Sequence, residues 1–554
     1  MTSTSSPYNY PKHWLGQPRP VRVVVVGAGI SGIAAVKLFK EILGDLPVSL
    51  TLYEKNSDVG GTWLENRYPG CSCDIPAHSY TYSWEGNPNW SGMYVEAEEI
   101  FKFYKGRAQA YGVFEYLKVG HQLHEAVWND EKGKWILSVE DLATKQVIVD
   151  EADVLINAGG FLNKWKWPEI TDLESFQGTL LHSAIWNNSV NFKDKTVAVI
   201  GSGSSAIQIV PKIQKDVKHL YSVNRSPTWI TPKFASEHAP DNPEMRYTDQ
   251  QRQSWAESAE EFLSVRKAIE STVLKGFELN YKNSDLQAEV FQACSFDMNA
   301  VLSKKAGLSE LLIPKFEVGC RRLTPGVGYL ESLVEDNVTV IGESIERVST
   351  DSIVTKSGAE FKVDIIICAT GFDTSYRPSF NLRGKYGKDL KDVWADKPRS
   401  YLSLAVSGFP NYFVAGGPNF PIANGSVINS LEATLKYAFH AVRKIQKQNI
   451  KCLDPSPAAV EDFQQYKDAF MNDMVWTSNC RSWYKNGKVD GEVWGPWPGS
   501  ALHYIQLLDE PRWEDFTIEY RHSNRFNFLG NGRTKPEMTG GDLTYLLTEP
   551  TRNV

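Results

Sequence analysis

The chain has few cysteines, no long apolar run and no excess of positive charge. Its seven cysteines (Cys71, Cys73, Cys294, Cys320, Cys368, Cys452, Cys480) are odd in number and never spaced C-x-x-C. In a chain of 554 residues that indicates neither a disulfide framework nor a zinc site, and no metal is expected. No stretch approaches the ~18 to 20 uninterrupted apolar residues that cross a bilayer. The first twenty residues are polar, contain proline and lack an apolar signal core. Lys and Arg number 59 against 66 Asp and Glu, a formal charge of -7, so the concentrated positive field needed for nucleic acid or an anionic membrane is missing. These absences predict a cytoplasmic protein, a monomer or weak oligomer, acting on small molecules rather than on nucleic acid or membrane.

What is present is glycine in two organised clusters. Val23 to Val26 is an apolar β-branched run of the kind buried on both faces of a parallel sheet, and it feeds into Gly27-Ala28-Gly29-Ile30-Ser31-Gly32. Helical apolar spacing follows over Ile33 to Leu43. A second strand, Val48 to Tyr53, ends at Glu54, about 20 residues beyond Gly32. Together these form a βαβ dinucleotide unit. Gly27, Gly29 and Gly32 allow the tight turn and the approach of a pyrophosphate, the helix N-terminus offers free N–H groups, and Glu54 takes ribose hydroxyls.

The pattern repeats downstream. Thr196 to Ile200 enters Gly201-Ser202-Gly203-Ser204-Ser205-Ala206, where alanine replaces the third glycine, a position that packs helix on strand. The second strand of this unit, Val217 to Val223, ends in Asn224-Arg225-Ser226 instead of an acid. An arginine there pairs with a 2'-phosphate in a charge-assisted way, which predicts NADPH over NADH.

Further organisation is coarser. Helices are expected over Glu98 to Tyr111, Gln250 to Lys275 and Ser284 to Ala306. A hairpin is expected around Asn129 to Gly133, and buried strands over Asp153 to Asn157, Val338 to Ile341 and Asp364 to Cys368. The expected fold is α/β, with two interleaved Rossmann-like dinucleotide-binding domains. One holds residues 1–162 and 395–554, the other 163–231 and 318–394, with a helical insertion over 232–317.

Between the glycine loops, Phe176-Gln177-Gly178-Thr179-Leu180-Leu181-His182-Ser183-Ala184-Ile185-Trp186 reads as F-x-G-x-x-x-H-x-x-x-W. Asp58 to Trp63 and Asn66-Arg67-Tyr68-Pro69-Gly70-Cys71-Ser72-Cys73-Asp74 read as GG-x-W followed by NRYPG-x-x-CD. Together these resemble the type I Baeyer–Villiger monooxygenases, most closely the fungal members through Arg321-Arg322-Leu323-Thr324-Pro325-Gly326-Val327-Gly328-Tyr329. The likeness runs over nearly the whole chain from Pro20.

It implies FAD on the first unit and NADPH on the second, with oxygen from O2 inserted beside a ketone carbonyl through a carbon-4a flavin peroxide, giving an ester or lactone. It assigns Arg322 to hold the peroxide anion and steady the ketone adduct, with Asp74 beside the flavin orienting that arginine. Gly61, Thr62, Trp63, Tyr80 and, through its backbone, Leu123 are implied flavin-side contacts. On the NADPH side stand Ser202, Gly203, Ser204, Ser205, Ala206, Gln208, Arg225, Ser226 and Arg321, the last where a lysine is more usual. Cys480-Arg481-Ser482-Trp483-Tyr484 resembles the family's mobile loop, with Trp483 closing over the nucleotide. Phe176, Gly178, His182 and Trp186 are implied to form a linker coupled to domain movement. Two other readings share the glycine loops. An N- or S-oxygenating flavin monooxygenase usually has another aromatic in place of Trp186. A non-catalytic redox-sensing flavoprotein would not need Arg322.

Overall fold

The computed structural model describes residues 8–547; Met1 to Pro7, part of the polar N-terminal stretch, and residues 548–554 at the end of the last expected domain lie outside them. Two five-stranded parallel sheets organise the chain. In the first the order is Tyr412–Val414, Val154–Asn157, Val21–Val26, Val48–Tyr53, Leu117–Lys118. In the second it is Val338–Ile341, His219–Val223, Thr196–Ile200, Ile365–Cys368, Thr179–His182. Val23 to Val25 are fully buried because both faces are covered: Val23 and Val25 pack under Ile30–Leu43, which lies against the long helix Val427–Lys447 from far along the chain, and Val24 packs against strands that include Leu123, Trp135 and Leu137. The interleaving is therefore visible in the sheet itself, whose edge strand Tyr412–Val414 comes from the last third of the sequence.

Two expectations are corrected and one gains detail. Within Phe176 to Trp186, Thr179–His182 is the edge strand of the second sheet, with His182 in register with Cys368. Its apolar pair Leu180-Leu181 is too short to stand out as a strand from pattern alone. The helix expected over Gln250 to Lys275 is two, Asp249–Glu257 and Ala259–Lys275, broken at Ser258, whose side chain caps the second by accepting the Glu261 N–H at 3.2 Å. Finally, Asn381–Arg383 pairs with His121–Asn129 in a four-stranded sheet that also contains Lys134–Asp141 and Val147–Ala152. The chain has thus returned to the first unit before residue 381, ahead of the expected boundary at 394.

Helices Asp249–Glu257, Ala259–Lys275 and Asp285–Leu302 fill the expected insertion. They bridge to the first unit, since Arg266 Nη2 donates to the Tyr82 carbonyl at 2.8 Å. No helix among the described residues is long and apolar enough to cross a membrane.

Candidate active site

The carboxyl ends of both parallel sheets open onto one continuous cleft of about 1940 Å³, the position where open α/β sheets bind ligands. On the first wall, Gly27 has φ +99°, and a Cβ there would stand 2.6 Å from the Ala158 carbonyl oxygen. Glu54, buried at the end of its strand, accepts the Ala28 N–H at 2.7 Å and the Asn56 N–H at 2.8 Å, which fixes its carboxylate at the cleft. Beyond it, Gly61 lies at φ +51° and starts the short helix Thr62–Glu65. Trp63 Nε1 donates to the Tyr80 hydroxyl at 3.3 Å, with the rings edge to face. Gly29, Gly61, Thr62, Trp63, Asp74, Tyr80 and Leu123 all line the cleft.

The second wall is built the same way. Gly201 has φ +129° and a Cβ there would be 2.3 Å from the Ala369 carbonyl, whereas nothing lies within 4 Å of where a Gly203 Cβ would be. Backbone approach to a phosphate is therefore open at Gly203. Ser202 Oγ donates to the Ser226 carbonyl at 3.1 Å, and the Ser204 and Thr324 hydroxyls are 2.9 Å apart. Arg225 is exposed at the cleft, and Arg321 Nη1 donates to the Pro227 carbonyl at 2.9 Å. Burial, and then the charge of Arg225, hold the Arg321 guanidinium below its ordinary value. Neither arginine has a carboxylate partner among the described residues, so a phosphate dianion would relieve their repulsion. Together with the uncrowded backbone at Gly203, this fits a 2'-phosphorylated dinucleotide.

Two expected cofactor positions stand behind the cleft. A Cβ at Gly32 would sit 2.0 Å from the Gly27 carbonyl, and Ala206 is fully buried, so these residues close helix onto strand and do not line the cleft.

Between the two walls Arg322 meets Asp74. Its Nη2 donates to Asp74 Oδ1 at 2.7 Å, its Nε to Oδ2 at 3.1 Å and its Nη1 to the Ile422 carbonyl at 2.9 Å. This two-point pairing fixes the plane of the guanidinium. The Asp74 charge raises the Arg322 pKa against the opposing effect of burial, which keeps the arginine charged at any working pH. With five N–H groups and three engaged here, the guanidinium retains donors for a ligand. Tyr484 turns its hydroxyl toward the same guanidinium, and burial pushes that phenol up to about 12. Its neighbour Trp483 stacks on Phe161 with centroids 6.1 Å apart.

The expectation of no disulfide is corrected here: Cys320 and Cys480 are joined. A pairing across 160 residues leaves no mark in local spacing. Sequence reasoning also gave no role to Tyr68, Ile422, Phe161 or Tyr484. Tyr68 and Tyr484 lay within quoted motifs, so their phenols could have been marked, but the Ile422 carbonyl has no side-chain signal.

Of the Phe176–Trp186 stretch, only its end reaches the cleft, through Ala184, Ile185 and Trp186, the last stacked on Phe192 at 5.7 Å. His182 is fully buried, stacks on Trp165 at 4.8 Å and accepts the Ala184 N–H on Nδ1 at 3.1 Å. Desolvation holds its pKa below the ordinary value. A Cβ on Gly178 would lie 2.4 Å from the Asp364 carbonyl, and Phe176 is buried in the second sheet's core. Phe176, Gly178 and His182 do not line the cleft themselves; His182 Nε2 lies 3.4 Å from the hydroxyl of Thr370, which does.

Comparisons with known proteins agree with this layout. The model of the flavin-binding monooxygenase-like family matches residues 20–293. An FAD-binding monooxygenase, tazF, of Aspergillus terreus is 39% identical, covering 96% of this chain and 95% of its own. A Baeyer-Villiger monooxygenase of Pseudomonas aeruginosa is 30% identical over 89% of this chain and 91% of its own. The solved structure of an oxidised steroid monooxygenase bound to NADP superposes with a TM-score of 0.75 at 27% identity, covering 90% of this chain and all of that one. The fold and the cleft define a flavoprotein monooxygenase. The chain belongs to the flavin-binding monooxygenases, in the type I Baeyer–Villiger-like group.

Proposed function

We propose that the enzyme uses FAD and NADPH to insert one oxygen of O2 beside a ketone carbonyl, giving an ester or lactone. The observation that carries the reading is the Arg322–Asp74 pair set between two dinucleotide walls. Residues 1–162 together with the chain from before 381 would hold FAD. Residues 163–231 and 318 to about 380 would hold NADPH, with 232–317 inserted.

When bound, reduced FAD would supply the electrons that activate O2. The protein's part is electrostatic. Adding a nucleophilic oxygen to a carbonyl creates an oxyanion, and a guanidinium already fixed at the cleft stabilises it without reorganising. Asp74 and the Ile422 carbonyl hold that guanidinium in place, leaving its free N–H groups for the oxyanion. Oxygen transfer to an amine or thioether lone pair forms no such adduct and needs no fixed arginine, which disfavours the alternative.

The test is a panel of linear, cyclic and aryl ketones incubated with the yellow protein, NADPH and O2, with products analysed for an ester one oxygen atom heavier than its ketone. Arg322→Lys keeps the charge but loses the two-point pairing. It is expected to keep reduction of the flavin by NADPH within a few-fold and to lower ester formation by roughly a hundredfold. Amine or thioether oxides as sole products, formed equally by Arg322→Lys, would overturn the reading.

A further inference from the structure

Arg321 and Arg322 follow Cys320 directly, and the loop that brings Trp483 to the cleft begins at Cys480. The disulfide ties these two segments together with their Cα atoms 6.3 Å apart, while the remaining five cysteines are unpaired. Both sulfurs are buried.

Beyond the tether, much of the loop's hydrogen bonding is to itself. Arg481 Nη1 donates to the Gly487 carbonyl at 2.7 Å, and Lys485 Nζ to the carbonyls of Ser478 and Val489 at 2.6 and 2.7 Å. Outward contacts include the stack of Trp483 on Phe161, a hydrogen bond from Thr374 to Asn486 at 3.1 Å, and the backbone of Tyr484 against Trp494 and Gly495. A loop that walls a ligand cleft and is fastened at its base to the arginine segment is one whose opening that fastening controls.

We propose that Cys320 and Cys480 form a reversible redox tether that sets how far the Trp483 loop can open, and with it how long the dinucleotide stays on the enzyme. The retention clause rests on the proposed function; the tether itself does not. In the closing step two thiols and one hydrogen peroxide give the disulfide and two waters. In the opening step a dithiol reductant attacks one sulfur, the S–S bond breaks, and the reductant leaves as its own disulfide with both hydrogens returned to the cysteines. By the proposed function, NADPH oxidation with no substrate to take the oxygen would release peroxide in this cleft, so wasted turnover would close the tether.

The experiment compares holoprotein treated with hydrogen peroxide and with dithiothreitol. Alkylation and non-reducing peptide mapping read the linkage. Trypsin cleavage after Arg481, Lys485 and Lys488 reads loop opening, and displacement of NADP+ reads its release. The expected result is a Cys320–Cys480 cross-linked peptide after peroxide, and cleavage and NADP+ release both roughly tenfold slower than in the reduced protein. Cys320→Ser/Cys480→Ser should retain FAD and behave as the reduced form under either treatment. If that variant fails to fold, Cys480→Ser alone and the reduced wild type decide the same question. Two alkylatable thiols after peroxide, or a linkage that changes neither rate, would overturn the tether. Should NADP+ not bind in any form, the proposed function fails, while the map and the cleavage rates still decide whether the tether controls the loop.

Discussion

Arg225 and Arg321 lie far apart in the chain yet share one electrostatic neighbourhood, which costs free energy until an anion is present. Each charge-assisted hydrogen bond to a phosphate contributes about 1.5–3 kcal/mol. Arg225→Ala is therefore expected to raise the KM for NADPH by roughly tenfold to a hundredfold while leaving that for NADH within a few-fold. Steady-state kinetics with the two nucleotides checks it, and equal losses for both would remove the 2'-phosphate assignment. Arg225 was legible in the sequence because it stands where the first unit has Glu54, at the end of the second strand of a repeated βαβ pattern. Arg322 was legible only through family resemblance. Its acceptor on Ile422 was not legible at all, since backbone carbonyls are common to every residue.

At the scale of elements, the glycine loops could be read because a tight turn, a strand and a helix are all local, and the φ values of Gly27 and Gly201 show the demand that glycine met. The strand Thr179–His182 could not, because it exists only by pairing with Ile365–Cys368, far along the chain. Contacts of the inserted helices with the first unit were equally hidden. His78 is buried with neither ring nitrogen hydrogen-bonded, packed against Tyr247, Trp255 and Phe262 of the insertion. Burial, aided by the Arg266 charge, pushes its pKa down to about 3 from 6.5. Between those values the unfolded chain binds a proton that the folded one refuses. Folded stability is therefore fully present above about pH 6.5 and lost as pH falls toward 3, at up to roughly 1.4 kcal/mol per pH unit. Phe fills the aromatic cage without that penalty. His78→Phe should match or slightly exceed wild type at pH 7 and gain on it as pH drops to 5, read from urea midpoints. Parallel pH profiles for the two proteins would refute the linkage.

For the molecule as a whole, the question is how the two walls of the cleft are held in register, since the Arg322–Asp74 pair spans them. The segment Tyr68 to Asp74 leaves the first unit and docks on the helix Ser204–Ile213 that follows the second glycine loop. Tyr68 donates to Gln208 Oε1 at 2.9 Å, Gln208 Nε2 donates to the Ser72 carbonyl at 3.0 Å, and Ser205 Oγ reaches the Tyr68 hydroxyl at 3.4 Å. Gly70, at φ +79°, lets this segment pass close to the helix: a Cβ there would be 2.8 Å from the Gln208 carbonyl. Asp74 is thus positioned by the second unit as much as by the first. Gln208→Leu keeps the volume but takes away the acceptor of the Tyr68 hydroxyl, leaving it only the longer contact from Ser205, and strands the Ser72 carbonyl, at about 1–3 kcal/mol for each bond lost. FAD content should stay at the wild-type level, because Gly27, Glu54 and Gly61 are untouched. Reduction of the bound flavin by NADPH, followed anaerobically in a stopped-flow instrument, should slow by roughly tenfold, which needs only about 1.4 kcal/mol of that loss to fall on the register. Lys212→Ala is the control: it sits on the same helix, and its exposed pair with Glu96 at 3.1 Å carries little energy, so its rate should equal wild type. Wild-type reduction in Gln208→Leu would mean that register is kept without the Gln208 contacts. Slowing in both variants would point to the helix, not to the Gln208 contacts.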